Sequence, residues 1–271
     1  MMCTLTNQAG AELGVWIPGK LPSHRLTISP EVEWRIDHLA YHRDILHTKP
    51  HRSKAVITPS ASWGFEDCYF NYKMTSSYPD LLSLLDYTDS SDPLNIYQGN
   101  PDLKRSVTHS VDFSRSFGNY QTGWHFFLTG GWSMTHNAIA HAMNYDAATG
   151  IRTFTPRNVN GNWGANLSGD YQKPLDRKQR FILTSVTSLR YQNCVDYVTE
   201  RSTVRNLNAA TSLHLNSRIK QSIFDFNVAA NYLHATSPSV GFQDINSFDF
   251  KYSVHHTGTD RQDKKKHSFL T

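Results

Sequence analysis

Fourteen histidines and an evenly spaced run of aspartates are the residues of this chain that could support metal chemistry. His136 and His141, in "THNAIAHAM", stand at a spacing that shares neither a strand face nor a helix face, so joint ligation is not favoured. His255 and His256 are adjacent, near the C-terminal tail. Asp86, Asp89 and Asp92 recur every third residue, whereas a calcium loop of the EF-hand type places ligands at every second residue with a glycine and a distal Glu. Their spacing suits carboxylates that bond nearby backbone amides in turns. No Gly-x-Ser-x-Gly elbow and no glycine-rich phosphate loop occurs. The remaining Asp and Glu residues are scattered and single out no pair for two-carboxylate hydrolysis. Cys3, Cys68 and Cys194 form no CxxC and no disulfide framework, and Cys68 and Cys194 read as small strand residues. No catalytic residue, no metal ligand and no cofactor is expected, and the chain is not read as an enzyme.

The charge balance points the same way. Formal net charge is +4 at pH 7. The dense basic runs, Lys173–Arg180 and Asp260–His267, read as a turn and a tail. No basic stripe follows a helical period, so no nucleic-acid partner is expected.

What would hold any site in place is β-structure. Apolar residues fall at every second position in Leu26, Ile28, Val32, Trp34, Ile36, and again in Ala55, Ile57, Pro59, Ala61, Trp63, Phe65. The alternation returns in Phe126, Leu128, Gly130, Trp132, Met134, in Trp163, Ala165, Leu167, Gly169, Tyr171, in Phe224 to Tyr232, and in Phe248 to Val254. Period two puts one set of side chains on each face of a sheet. Only "SYPDLLSLLDY" (Ser77–Tyr87) has the look of a short helix.

The connectors alternate in length. Glu66-Asp67 is tight and Ser77–Lys104 long; Gly118–Gly123 is short and Ile139–Arg157 long. Gln172–Lys178 is short and Asn193–Ser202 longer; Asn216–Gln221 is short and Ala235–Ile245 longer. Short turns at one end and long loops at the other describe the up-and-down meander of an outer-membrane barrel. A strand needs ~9–11 residues to cross a bilayer at a tilt, and most runs are at least that long. Trp63, Tyr69, Trp124, Tyr171 and Tyr191 stand near strand ends, where interfacial girdles place aromatics. The N-terminus has neither the basic n-region nor the apolar h-region of a signal peptide.

The stretch "SDPLNIYQGNPDLK" (Ser91–Lys104), followed by the alternating "SVTHSVDFSRSF", carries a resemblance. It resembles the barrel domain of TonB-dependent outer-membrane receptors, and most of all the outer-membrane β-barrel family common in Bacteroidetes. The matching positions are Pro79, Leu81, Leu85, Asp89, Ser91, Asp92, Pro93, Leu94, Asn95, Ile96, Gly99, Asn100, Pro101, Leu103 and Lys104. "YDAATGIRTFTPRNVNGNWGANLSGDY" (Tyr145–Tyr171) is similar to the family's next loop and strand.

The alternation makes the chain all-β with about ten or eleven strands, and the resemblance implies that they form an antiparallel up-and-down transmembrane β-barrel segment. Residues 10–256 are expected to form it, as an open partial barrel if the remaining strands are absent, and residues 257–271 read as a disordered or truncated tail. The motif loop, with Asp89, Ser91, Asp92, Pro93, Leu94, Asn95, Gly99, Asn100, Pro101, Leu103 and Lys104, would be an exterior structural element. The implied location is the cell outer membrane, and the implied partners are outer-membrane lipid and a small-molecule or glycan ligand. The implied role is energised uptake or binding of a siderophore, vitamin or glycan. Receptors of this type enclose a plug within about 22 strands. Here a plug domain and the TonB complex would be partners only if further segments were supplied. The sequence departs from the pattern at Arg105, where a proline is usual, and at Phe269, which is not terminal. The alternative is a soluble all-β carbohydrate-binding, lectin-like sandwich, in which Trp63, Trp124, Trp132 and Trp163 would stack on sugars.

Overall fold

The computed structural model describes the backbone of residues 2–10, 13–17, 24–39, 41–43, 46–48, 51–119, 121–198, 200–219, 222–238, 242–258 and 267–268. Side-chain surroundings are described for residues 24–37, 53–119, 121–197, 200–219, 222–238 and 242–258. The strands are β1 (Met2–Gly10), β2 (Leu13–Ile17), β3 (His24–Leu39), β4 (Tyr41–Arg43), β5 (Leu46–Thr48), β6 (His51–Phe65) and β7 (Cys68–Ser77). They continue with β8 (Thr88–Asp92), β9 (Asn95–Gln98), β10 (Ser106–Asn119), β11 (Trp124–His136), β12 (Ala138–Tyr145) and β13 (Arg152–Val159). The last are β14 (Asn162–Pro174), β15 (Phe181–Val198), β16 (Glu200–Ile219), β17 (Ser222–Thr236), β18 (Ile245–Gly258) and β19 (His267–Ser268).

The long strands pair antiparallel in the order β3, β6, β7, β10, β11, β14, β15, β16, β17, β18. β1 and β2 lie end to end beside β3, and β19 touches the last residues of β18. Among the described residues no ladder joins β18 to β1 or β2, so the sheet is open. This is the antiparallel meander the alternating connectors imply.

Register turns the sequence alternation into two unlike faces, because directly paired residues share a face. One row runs Leu26, Trp63, Phe70, Phe113, Gly130, Leu167, Leu189, Ala209, Tyr232, Phe248, apolar across ten strands. A row on the other face runs Gly64, Tyr69, Ser114, Thr129, Ser168, Ser188, Ala210, Asn231, Asp249. Gly130 belongs to the apolar row because the Phe113 ring lies across it; a Cβ there would sit 2.1 Å from that ring.

The apolar face is not covered by a second layer. Leu167 is 44% exposed, Leu189 45% and Phe248 68%. A sandwich would bury these residues against a facing sheet, and that arrangement is absent among the described residues. Few residues are buried; Leu81, Leu103, Ala140, Val159 and Val195 lie under the long connections, and Cys68 and Ser217 lie beside short turns.

Aromatic rings border the apolar face at both ends. At the short-turn end Trp63 stacks on Phe65 and Phe70, and Phe117 on Phe126. At the other end Trp163 packs on Tyr191 and Tyr72 on His109. On β14, Trp163 and Tyr171 mark the two borders. They stand about 27 Å apart along the strand, or about 20 Å after a tilt of ~40°, near the ~25 Å apolar band of membrane barrels. Tyr69 departs from the expected girdle: its pairing with Ser114 places it on the polar face. Strand-end position alone did not reveal its face; register does.

Two further expectations change. The helical look of Ser77–Tyr87 reduces to one 3-10 turn at Leu82–Leu84. Asn193–Ser202 is not a loop: β15 and β16 stay paired through Cys194–Val204 to Val198–Glu200. Its charged and amide residues resemble a loop, but they decorate a hairpin that projects past its neighbours. Part of the tail, residues 259–266 and 269–271, lies outside the described residues.

Candidate functional site

The two longest connections meet at one end of the sheet and build a small cap. The first, residues 78–105, begins with Pro79 and Leu81 packed inward; Leu81 is 2% exposed. The Arg35 guanidinium lies 5.9 Å from the centre of the Tyr78 ring and donates to buried Asp37 at 2.9 Å. A space of about 710 Å³ between this connection and β6 is lined by Lys54, Val56, Pro79, Leu84, Leu103 and Arg105. The connection therefore leans over the β3–β6 part of the polar face.

Its tip is a hairpin of β8 and β9, made by turn chemistry. Asp89 Oδ1 accepts from the Ser91 amide at 3.0 Å, and Asp92 Oδ1 from the Leu94 amide at 3.0 Å. Asn95 Nδ2 donates to Asp92 Oδ2 at 2.8 Å. Pro93 sets the backbone of the turn, and Leu94 projects at its tip, 56% exposed. The bond from Asn95, reinforced by the Leu94 amide, holds the Asp92 carboxyl below its usual value. On the return, Gly99 donates to Tyr87 O at 3.0 Å and Asn100 to Ser83 O at 2.7 Å. Gly99 is required: a Cβ there would fall 1.9 Å from the Leu85 carbonyl oxygen.

The second connection, residues 137–161, is the hairpin of β12 and β13. Its turn repeats the same chemistry, with Thr149 Oγ1 and the Ala148 amide both donating to Asp146 and lowering its carboxyl. The base of this hairpin packs Ala140 and Val159 on Val195 of β15.

The connections join through β9 and β13, which pair in parallel at Asn95–Arg152, Ile96–Thr153 and Tyr97–Phe154. Asn100 Nδ2 donates to Pro156 O at 2.9 Å. Asn158 clamps the root: its Oδ1 accepts from the Lys104 amide at 2.7 Å, and its Nδ2 donates to Lys104 O at 2.9 Å and Asn137 O at 2.8 Å. The cap is thus a four-stranded sheet, β8–β9–β13–β12, set on the long-connection end.

Register puts Asp89, Tyr97, Phe154 and Met143 in one row of this cap sheet. The Tyr97 and Phe154 rings stack with centroids 5.1 Å apart. A cavity of about 220 Å³ opens on that row, reached also by Ser83, Gln98 and His141.

The motif residues serve mainly as framework. Asp89, Ser91, Asp92, Pro93, Leu94 and Asn95 form the hairpin tip. Gly99, Asn100, Pro101, Leu103 and Lys104 tie the return to the second connection, with Leu103 buried. Asp89 and Gly99 are the members that also line the cavity. Tyr97, Phe154 and Asn158 have no local signal of a site role in the sequence, and His141 stood out only in a metal pairing with His136 that was not favoured, since each acquires its role from a partner on a distant segment. Among the described residues no group of three or more His, Cys, Asp or Glu could hold a metal ion. Cys68 is a buried strand residue and Cys194 an exposed one, neither in a disulfide. Among the described residues no helix is long and apolar enough to cross a membrane, which says nothing about crossing by strands.

No curated protein matches the chain. A model of the outer membrane protein beta-barrel family matches residues 62–254, from β6 to β18. That span holds the uncovered apolar face, the polar face behind it and the cap, and the chain belongs to the outer membrane protein beta-barrel family.

Proposed function

We propose that this chain supplies part of the barrel of a TonB-dependent type outer-membrane receptor that binds or imports a siderophore, vitamin or glycan without chemistry on it. One observation carries the reading: a continuous apolar row across ten strands lies open on one face, backed by a polar face. Lipid acyl chains satisfy such a face at no structural cost, whereas water does not. The polar residues then line the lumen. The short turns point to the periplasm and the cap to the exterior, as in barrels with long outer loops. A ligand meets the cap first, and a plug domain and TonB complex are partners once the barrel is complete.

Two measurements test this in order. The chain should need detergent for solubility and partition into micelles; free solubility as a monomer in plain buffer overturns the membrane reading. Ligand uptake by the completed barrel should stop when a protonophore collapses the inner-membrane gradient. Undiminished uptake would leave a passive barrel and remove the energised part of the proposal.

A further inference from the structure

We infer that the cap cavity is a binding subsite for one neutral, hydroxyl-bearing ring, a sugar residue at the end of a saccharide; this rests on the exterior placement of the cap proposed above. The size bounds the ligand. At about 220 Å³ the cavity is below the ~300–1,000 Å³ that encloses a drug-sized molecule, so it takes a single ring rather than a whole macrocycle.

The lining fixes the chemistry. The Tyr97 ring packs one side on Phe154 and is 57% exposed, which leaves a rigid aromatic surface of the kind that aliphatic ring C–H groups cover well. Around it stand an acceptor carboxylate at Asp89, a donor-and-acceptor amide at Gln98, the Ser83 hydroxyl and the His141 imidazole. Hydroxyl groups both donate and accept, so they can use all of these groups. An organic cation would use the acceptors alone. An anionic group would meet Asp89 with no Lys or Arg in the lining to offset it.

The site is composite, and that makes it specific to the folded cap. Asp89, Tyr97 and Gln98 come from the first connection, His141 and Phe154 from the second, and the parallel β9–β13 pairing brings them together. The first connection alone could not form it.

The test titrates the folded chain in detergent micelles with neutral trisaccharides cut from α-glucan, β-glucan, mannan and galactan, by calorimetry. At least one should bind, and Tyr97→Ala should weaken it about tenfold, the loss expected for an aromatic contact of about 1.4 kcal/mol. Tyr145→Ala, on β12 outside the cavity, should leave binding unchanged. A second arm uses a ferric trihydroxamate chelate and a cobalamin. If either of these binds while every saccharide fails, the ligand class is wrong and the receptor reading stands. If saccharide binding survives Tyr97→Ala, the assigned subsite is wrong. If nothing binds a folded, micelle-embedded chain, the subsite is overturned although the membrane reading is untouched.

Discussion

At the residue scale, the cap is held by side chains that imitate backbone. Asp89, Asp92 and Asp146 each accept an amide two residues on, and Asn158 closes two connections whose sequence positions lie far apart. Gly99→Ala should be the most damaging small change, because its Cβ meets a carbonyl rather than a flexible side chain. Overpacking of this kind costs about 1–3 kcal/mol locally, and faster proteolysis of residues 86–105 would register it. The pH dependence has a definite sign. The Asp92 and Asp146 carboxyls are lowered below the ordinary 3.8 by their hydrogen bonds. Their contribution is complete above that value and is lost as pH falls through the depressed folded value. Pepsin cutting of the two hairpin tips should therefore rise as pH drops below about 3.8, and Asp92→Asn should show the raised cutting of its own tip at every pH. The Asx turns at Asp89 and Asp92 were legible in the sequence from the Asp spacing and Pro93, whereas that at Asp146 was not. The roles of Tyr97, Phe154 and Asn158 were not, since they depend on partners that only the parallel pairing supplies.

At the element scale, period two was the signal for the long strands, but it did not reveal β8, β9, β12 and β13, which lie within segments read as long connectors. The apolar alternates of Trp163–Tyr171 and of Phe224–Tyr232 fall on one face in the pairing, as their spacing requires. The polar residues of Asn193–Ser202 gave no sign of a strand: Asn193, Asp196 and Arg201 sit in a continuous hairpin that runs past β14 and β17 and packs Val195 on Ala140 and Val159. Leu167 lies midway between the bordering rings Trp163 and Tyr171 on β14, at the centre of the apolar band. Leu167→Arg should destabilise the membrane-inserted sheet by ~2–4 kcal/mol, the usual loss for Arg at the midplane of a lipid face. Ser168→Arg, its neighbour on the polar face, should cost far less. Urea unfolding in micelles compares the two directly.

At the scale of the whole molecule, direction decides how the sheet can close. The β1/β2 position and the ten long strands make eleven positions, joined by ten antiparallel pairings. The β1/β2 and β18 positions therefore run the same way, and β19, antiparallel to β18 over two residue pairs, begins a twelfth position of opposite direction. The β1/β2 and β18 positions cannot pair antiparallel with each other, nor can those of two copies inserted in the same orientation. An all-antiparallel barrel needs an odd number of further strand positions between β18 and β1. Open edges are untenable in hydrocarbon. The eleven positions alone should thus give no mobility difference between unboiled and boiled samples, and a clear shift would mean that they close by a pairing absent among the described residues.

The two faces of the proposed membrane sheet meet different solvents, and nitroxide scanning along β14 measures that most directly. With the three cysteines of this chain replaced by serine, single labels at residues 164–171 of the completed barrel would be compared for collision with oxygen and with a water-soluble nickel chelate in lipid vesicles. Strict alternation is expected: labels at Ala165, Leu167, Gly169 and Tyr171 reached by oxygen, and those at Gly164, Asn166, Ser168 and Asp170 by the chelate. Chelate access at both sets, or protection of the apolar set from both reagents, would contradict it.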